Sequence, residues 1–108
     1  MIAHVILFKP KSGVTAEERQ SVLDALQATA TKIPAIRRLR VGRRVRHGLP
    51  GYEQFMRDDF EYAMVVEFDD LDGLKAYLSH PHHAALGKHF VQSSAAALAY
   101  DYEMEDWK

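Results

Sequence analysis

Positions 2–9 alternate in a way that leaves neither phase polar. Ile2, His4, Ile6 and Phe8 form one set, and Ala3, Val5 and Leu7 form the other. A strand wet on one side would carry polar residues at every second position, so this one is predicted to be covered on both faces. Residues 61–68 repeat the pattern, with Tyr62, Met64, Val66 and Phe68 against Ala63 and Val65. A last strand over 97–104 sets Leu98, Tyr100 and Tyr102 against Ala97, Ala99 and Asp101. Residues 36–46 predict a weaker strand whose only apolar stripe is Leu39, Val41 and Val45.

Between these runs the period lengthens to that of a helix. Val22, Leu23, Leu26, Ala30 and Ile33 recur at helical spacing over 15–31, behind a capping box formed by Thr15 and Glu18 and before Pro34. Asp69 or Asp70 can cap a second helix in which Leu71, Leu74, Tyr77 and Leu78 share a face. It stops near His80-Pro81, because a residue before proline is pushed out of helical geometry. Pro81 suits the first turn of a further helix over 81–95. Residues 47–59 form a long connection that reads either as a lid over a pocket or as a hairpin tip.

The order is therefore β-α-β-β-α-β, with the second helix broken at Pro81. Right-handed crossovers place all helices on one side of a four-stranded antiparallel sheet. The large-residue face (Ile6, Phe8, Met64, Phe68, Leu98) is expected to take the helices. The small-residue face (Ala3, Val5, Leu7, Ala63, Val65, Ala97, Ala99) is left needing a partner. A second copy of the chain is the simplest cover for it, so a homodimer is expected.

Composition narrows the classes of function. The chain has 108 residues, enough for one domain, and 47% hydrophobic with 27% charged content is ordinary for a globular protein. Fourteen Lys and Arg against fifteen Asp and Glu give a net charge of −1, which supplies no global field for nucleic acid or an anionic membrane. With no cysteine, disulfides, thiolate metal sites and a thiol nucleophile are excluded. No run approaches the roughly 20 apolar residues of a membrane span. The first residues read as a strand and not as a signal peptide, so a cytoplasmic location is expected.

Arginine crowds the second strand, at positions 37, 38, 40, 43, 44 and 46. That density suits an anion or nucleic-acid patch, or an edge strand kept from pairing by charge. The neutral whole and the lack of interleaved aromatics favour the edge strand. Histidine clusters at 80, 82, 83 and 89. His82 and His89 are seven helical residues, roughly 10 Å, apart, too far to hold one ion, and no acidic residue stands nearby in sequence. No metal or cofactor is expected. His80 is assigned as a helix cap, and His82 and His89 as solvent-facing.

Taken together, several motifs resemble the stress-responsive A/B barrel (Dabb) domain family. They are His4-Val5-Ile6-Leu7-Phe8-Lys9, Ile33-Pro34-Ala35-Ile36, Val41-Gly42 and Val66-Glu67-Phe68. The most specific is the run from Leu74 to His83, Leu-Lys-Ala-Tyr-Leu-Ser-His-Pro-His-His. The resemblance spans nearly the whole chain. It implies one such domain over 1–108, a ferredoxin-like protomer and a dimeric α/β barrel built from two facing sheets. The family is functionally mixed, and some members are known only as stress- or defence-associated. One relative is a cofactor-free polyketide cyclase whose functional positions resemble His4, Tyr77 and His83; its other pocket histidine falls at Tyr62 here.

From the residues themselves, His4 lies on the large-residue face, and His83 shares a helical stripe with Leu86 and Phe90. Tyr77 accompanies Leu74 and Leu78. A His and a Tyr converging in an apolar pocket can remove a proton next to a carbonyl and stabilise the enolate. His4, Tyr77 and His83 are therefore the candidate catalytic residues. Ile6, Phe8, Tyr62, Met64 and Leu98 are the candidate lining for a small hydrophobic ligand. The competing readings are a non-catalytic protein whose pocket is filled core, and a monooxygenase sharing the barrel fold. A cavity of a few hundred cubic ångströms among these side chains separates the first two.

Overall fold

Each apolar run folds as its period requires, and the computed structural model describes all 108 residues. The elements are β1 (Ile2–Pro10), α1 (Ala16–Lys32), β2 (Arg38–Arg43), β3 (Tyr62–Phe68), α2 (Leu71–Leu78), α3 (Pro81–Ser93) and β4 (Ser94–Glu103), with a 3₁₀ turn at Glu53–Phe55. The four strands pair antiparallel in the order β2-β3-β1-β4. This is the expected ferredoxin-like sheet, with the helices layered on one face. No helix is long and apolar enough to cross a membrane.

Local chemistry sets the element boundaries. Thr15 caps α1 by accepting from the Glu18 amide at 3.1 Å, which is the Thr15 half of the expected capping box. Asp70 caps α2 in the same way, accepting from the Gly73 amide at 2.9 Å. His80 caps α3, its Nδ1 accepting from the His82 amide at 3.1 Å, with Pro81 in the first turn. The His80 cap directly follows the end of α2 at Ser79, so α3 starts anew there and Tyr77 and His83 stay close together.

Helix α1 buries a stripe shifted from the one its leucines predict. Leu26, Thr29 and Ile33 are buried, whereas Leu23 and Ala30 are exposed. The Thr29 hydroxyl donates to the Ala25 carbonyl at 2.7 Å, so the threonine enters the core with its polar atom satisfied. Met64, Val66 and Phe68 of β3, Leu74 and Tyr77 of α2, and Leu86 of α3 complete the core between the layers.

Strand β2 is shorter than the predicted 36–46. Its last ladder pair is Arg43 with Tyr62, and Val45 is left 79% exposed. Arg44 and Arg46 both meet Asp59, at 2.7 and 2.6 Å, closing the base of the 47–59 connection. Arg37 meets Asp69, Arg40 meets Glu67, and Arg43 donates to the Tyr62 hydroxyl. Only Arg38 of the six has no such partner. The arginine run is thus an edge strand neutralised by the chain's own acceptors.

One assignment of faces reverses. The register pairs Leu7 with Leu98 and Ile6 with Ala99, so Leu98, Tyr100 and Tyr102 lie on the face away from the helices. Ala97, Ala99 and Asp101 lie on the helix face beside Phe8, Ile6 and His4. Leu98 therefore cannot line a pocket between sheet and helices. Its strand is apolar in both phases, and shifting it by one residue moves every side chain to the other face, so side-chain size alone could not set the phase.

Shortening Met64, fully buried on the helix face, to alanine is expected to destabilise the protein by about 2–5 kcal/mol. Thr15→Ala is expected to cost about 1 kcal/mol through the lost cap. Urea unfolding at fixed protein concentration measures both.

Candidate active site

Pairing across the sheet puts His4 of β1 directly opposite Asp101 of β4. His4 Nδ1 stands 2.5 Å from an Asp101 carboxylate oxygen. A carboxylate oxygen accepts, so Nδ1 is the donor of this pair and Nε2 is turned away from it. His4 is almost fully buried, while the Asp101 side chain keeps 40% of its surface in water. Asp101 was not legible as a site residue, because alternation alone placed it on the opposite face.

Tyr77 closes over this pair from the last turn of α2. Its ring lies edge-on to His4 with centroids 5.5 Å apart, and 5.1 Å from Phe68. His83, in the first turn of α3, also meets the Tyr77 ring edge-on, with centroids 4.6 Å apart. The three candidate catalytic residues are thus brought together, with Asp101 as a fourth member. The Tyr77 hydroxyl is fully buried and has no hydrogen-bond partner. Such a group costs about 1–3 kcal/mol of desolvation, and native structures hold few of them.

The environment pushes the two titratable rings in useful directions. Burial, reinforced by the Asp101 carboxylate, raises the Tyr77 phenol to about 12. Burial also lowers His83, with neighbouring His4 adding to the effect and a backbone hydrogen bond at Leu78 opposing it. At neutral pH the pair is a protonated phenol beside a neutral imidazole, one donor and one base.

A cleft of about 460 Å³ opens at the other end of the seam between the layers. Phe8, Tyr62 and Phe90 form its aromatic floor, and Val22, Leu23 and Leu26 of α1 form a wall. Phe8 stacks on Tyr62 at 5.4 Å and meets Phe90 edge-on at 4.8 Å. Of the expected ligand-lining residues, Phe8 and Tyr62 are here. Met64 is fully buried in the core and Ile6 is packed against it. Four residues of strand, roughly 13 Å, separate Phe8 from His4, and His4, Tyr77 and His83 do not line the cleft. The 47–59 connection does not cover it either. No group of three or more His, Asp or Glu side chains is placed to hold a metal ion, and His82 and His89 are half-buried, not fully solvent-facing.

The model of the stress responsive A/B barrel domain matches residues 2–104. The chain belongs to that family. No curated protein sequence matches it. Among solved structures, a dimeric ferredoxin-like protein of unknown function from Bacteroides fragilis is 33% identical, with 95% of each chain covered and a TM-score of 0.68. A Dabb family protein with a ferredoxin-like fold from Mesorhizobium loti is 21% identical over 97% of each chain, with a TM-score of 0.74. A hydroxynitrile lyase from Passiflora edulis is 13% identical, covering 97% of this chain and 94% of its own, with a TM-score of 0.78. At that identity the likeness to the lyase is one of fold.

Two measurements check the electrostatics of this Dabb domain. The His83 ring is expected to titrate below 6.5 in the folded protein by NMR. Between that folded value and 6.5 the unfolded chain binds more protons, so this residue's contribution to stability falls as pH drops through the window; His83→Asn should flatten that part of the curve. Tyr77→Phe removes a hydroxyl that has no partner, so stability is expected to stay within about 1 kcal/mol of the parent or to rise.

Proposed function

We propose that this Dabb domain binds and converts a small hydrophobic carbonyl compound by acid–base chemistry at His4, Tyr77 and His83. The observation that carries the reading is the buried, unpartnered Tyr77 phenol packed against two imidazoles. A substrate carbonyl oxygen would satisfy that hydroxyl as acceptor. The phenol, protonated across the working pH range, would then stabilise the charge that builds on oxygen as an enolate forms. His83, neutral at pH 7, takes the proton from the carbon next to the carbonyl and returns it in the reverse step. Asp101 holds His4 in one tautomer, and His4 in turn packs against Tyr77. Access is from the β4 edge, where Asp101 and Ala99 are exposed and His83 is half-buried.

The alternative is a non-catalytic stress-associated protein with a filled core. What favours it is the packing of Met64, Leu86 and Tyr77, all within 1% of full burial, together with the absence of His4, Tyr77 and His83 from the lining of the 460 Å³ cleft. Exchange of deuterium from solvent into the α-carbon of a panel of hydrophobic ketones separates the two. The proposal expects acceleration by the parent protein and a loss of about 10²–10⁴-fold in His83→Ala. Tyr77→Phe should lose about 10²–10³-fold while remaining folded. A panel with no exchange above background, or equal exchange in both variants, would favour the filled core.

The open sheet face supports a homodimer in the manner of a dimeric α/β barrel. Leu7, Leu98, Tyr100 and Tyr102 are between 37% and 56% exposed there, beside Val5 and Val65. An apolar surface of this kind on a monomer is unusual. Sedimentation at micromolar concentration is expected to report a dimer, and Val65→Asp a monomer. A monomeric parent protein would refute this arrangement.

A further inference from the structure

We infer that the C-terminal tail builds an arginine-receiving groove on the open sheet face, and that its occupant is Arg38 of a second copy of the chain. The inference rests on the dimer reading and adds which parts of the two copies meet. Residues 105–108 lie beyond the 2–104 match to the Dabb family, and the proposed carbonyl chemistry uses none of them. Past the last ladder pair, Ile2 with Glu103, the Met104 amide donates to the Met1 carbonyl at 2.9 Å and pins the start of the tail. Trp107 then stands 91% exposed, its Nε1 donating to Glu105 at 3.2 Å. Val5 and Tyr102 of the open face, with Glu103, Met104, Glu105 and Trp107, line a groove of about 420 Å³. Neither Glu103 nor Glu105 forms an ion pair within the chain. Aromatic rings flanked by free carboxylates suit a guanidinium, through cation–π contact and charge-assisted hydrogen bonds.

The matching cation lies on the far edge of the same face. Register puts Arg38, Arg40 and Gly42 of β2 on the open side, in the same rows as Tyr102, Tyr100 and Leu98 of β4. Arg40 meets Glu67 at 3.8 Å, whereas Arg38 is exposed and has no ion pair. Sheets packed face to face keep their strands nearly aligned, so a two-fold axis between two copies runs either along the strands or across them. An axis across the strands sets β2 on β2 and β4 on β4, arginine against arginine and carboxylate against carboxylate. An axis along the strands sets β2 of each copy over β4 of the other, so each row meets its own reverse. Arg38 then faces the partner's Tyr102 and tail, and Arg40 faces the partner's Tyr100. Size agrees with charge, because Leu98 comes to cover Gly42 and Leu7 to cover Ala63. Packed sheets stand about 10 Å apart, a gap that arginine and tyrosine side chains close from opposite sides.

Sedimentation equilibrium of the full chain, with a charge swap, tests the assignment. Arg38→Glu is expected to weaken the dimer roughly tenfold or more, and so is the pair Glu103→Arg with Glu105→Arg. All three positions are exposed, so each variant should keep the parent's unfolding transition. Combining the three substitutions in one chain should restore the parent's affinity. An axis across the strands forbids that rescue, since it would leave glutamate against glutamate. Trp107 is the only tryptophan, and its emission should shift to the red as the parent is diluted through dissociation. A dimeric parent whose affinity survives Arg38→Glu, a combined variant no tighter than its components, or an emission unmoved by dilution would each overturn the groove and leave the dimer standing. A monomeric parent would overturn both.

Discussion

Strand β1 is paired on both edges, to β3 from Ile2 to Phe8 and to β4 from Ile2 to Pro10. That double pairing fixes which side chains share a face across three strands at once. It puts His4 opposite Asp101 on one side and Val66 on the other, and it puts Phe8 beside Tyr62. A slip of one residue on either edge would send these groups to the opposite face and dissolve the candidate active site and the cleft together. The geometry of the ladder therefore matters more here than any single side-chain contact.

The helix layer works against this fixed sheet. It buries the helix faces of β1 and β3 and leaves the helix face of β4 exposed at Ala97, Ala99 and Asp101. Incomplete cover is what gives Asp101 its contact with water and the reactive cluster its open side. At the other end, α1 stands far enough from Phe90 and Tyr62 to leave a cleft. Between the two lies tightly packed core at Met64 and Leu86. A single seam between sheet and helices thus holds two chemically different environments, one with a buried phenol and imidazoles and one with aromatic rings in an open cleft.

Electrostatic roles follow from burial more than from residue identity. Tyr77 and His83 both lose water, and the same desolvation drives them apart in function, because it favours the neutral form of each. For tyrosine the neutral form is the acid, and for histidine it is the base. The break at His80-Pro81 is what brings them together, since the cap on α3 starts a new helix close to the last turn of α2. A continuous helix would set residues 77 and 83 about 9 Å apart along its axis.

Much of this was written in the chain. Two-sided apolar strands, the caps at Thr15, Asp70 and His80, and the proline break are local features, and local rules read them. Those rules also located Tyr77 and His83 on the inward stripes of α2 and α3, and His4 in the larger-residue phase of β1. What they could not settle was how elements meet. The phase of β4 was ambiguous because its alanines, leucine and tyrosines are apolar in both sets, and only pairing with β1 put Leu98 outside and Asp101 inside. The burial of Thr29 in place of Ala30 depended on a hydroxyl finding the Ala25 carbonyl. The lining of the cleft joins a turn, a helix and an edge strand that are distant in sequence, at Lys11, Arg19 and Arg43. Periodicity determined what kind of element each run forms and where it lies; tertiary packing decided which face of β4 turns inward and what each face meets, because that depends on register between strands and not on any one strand's own residues.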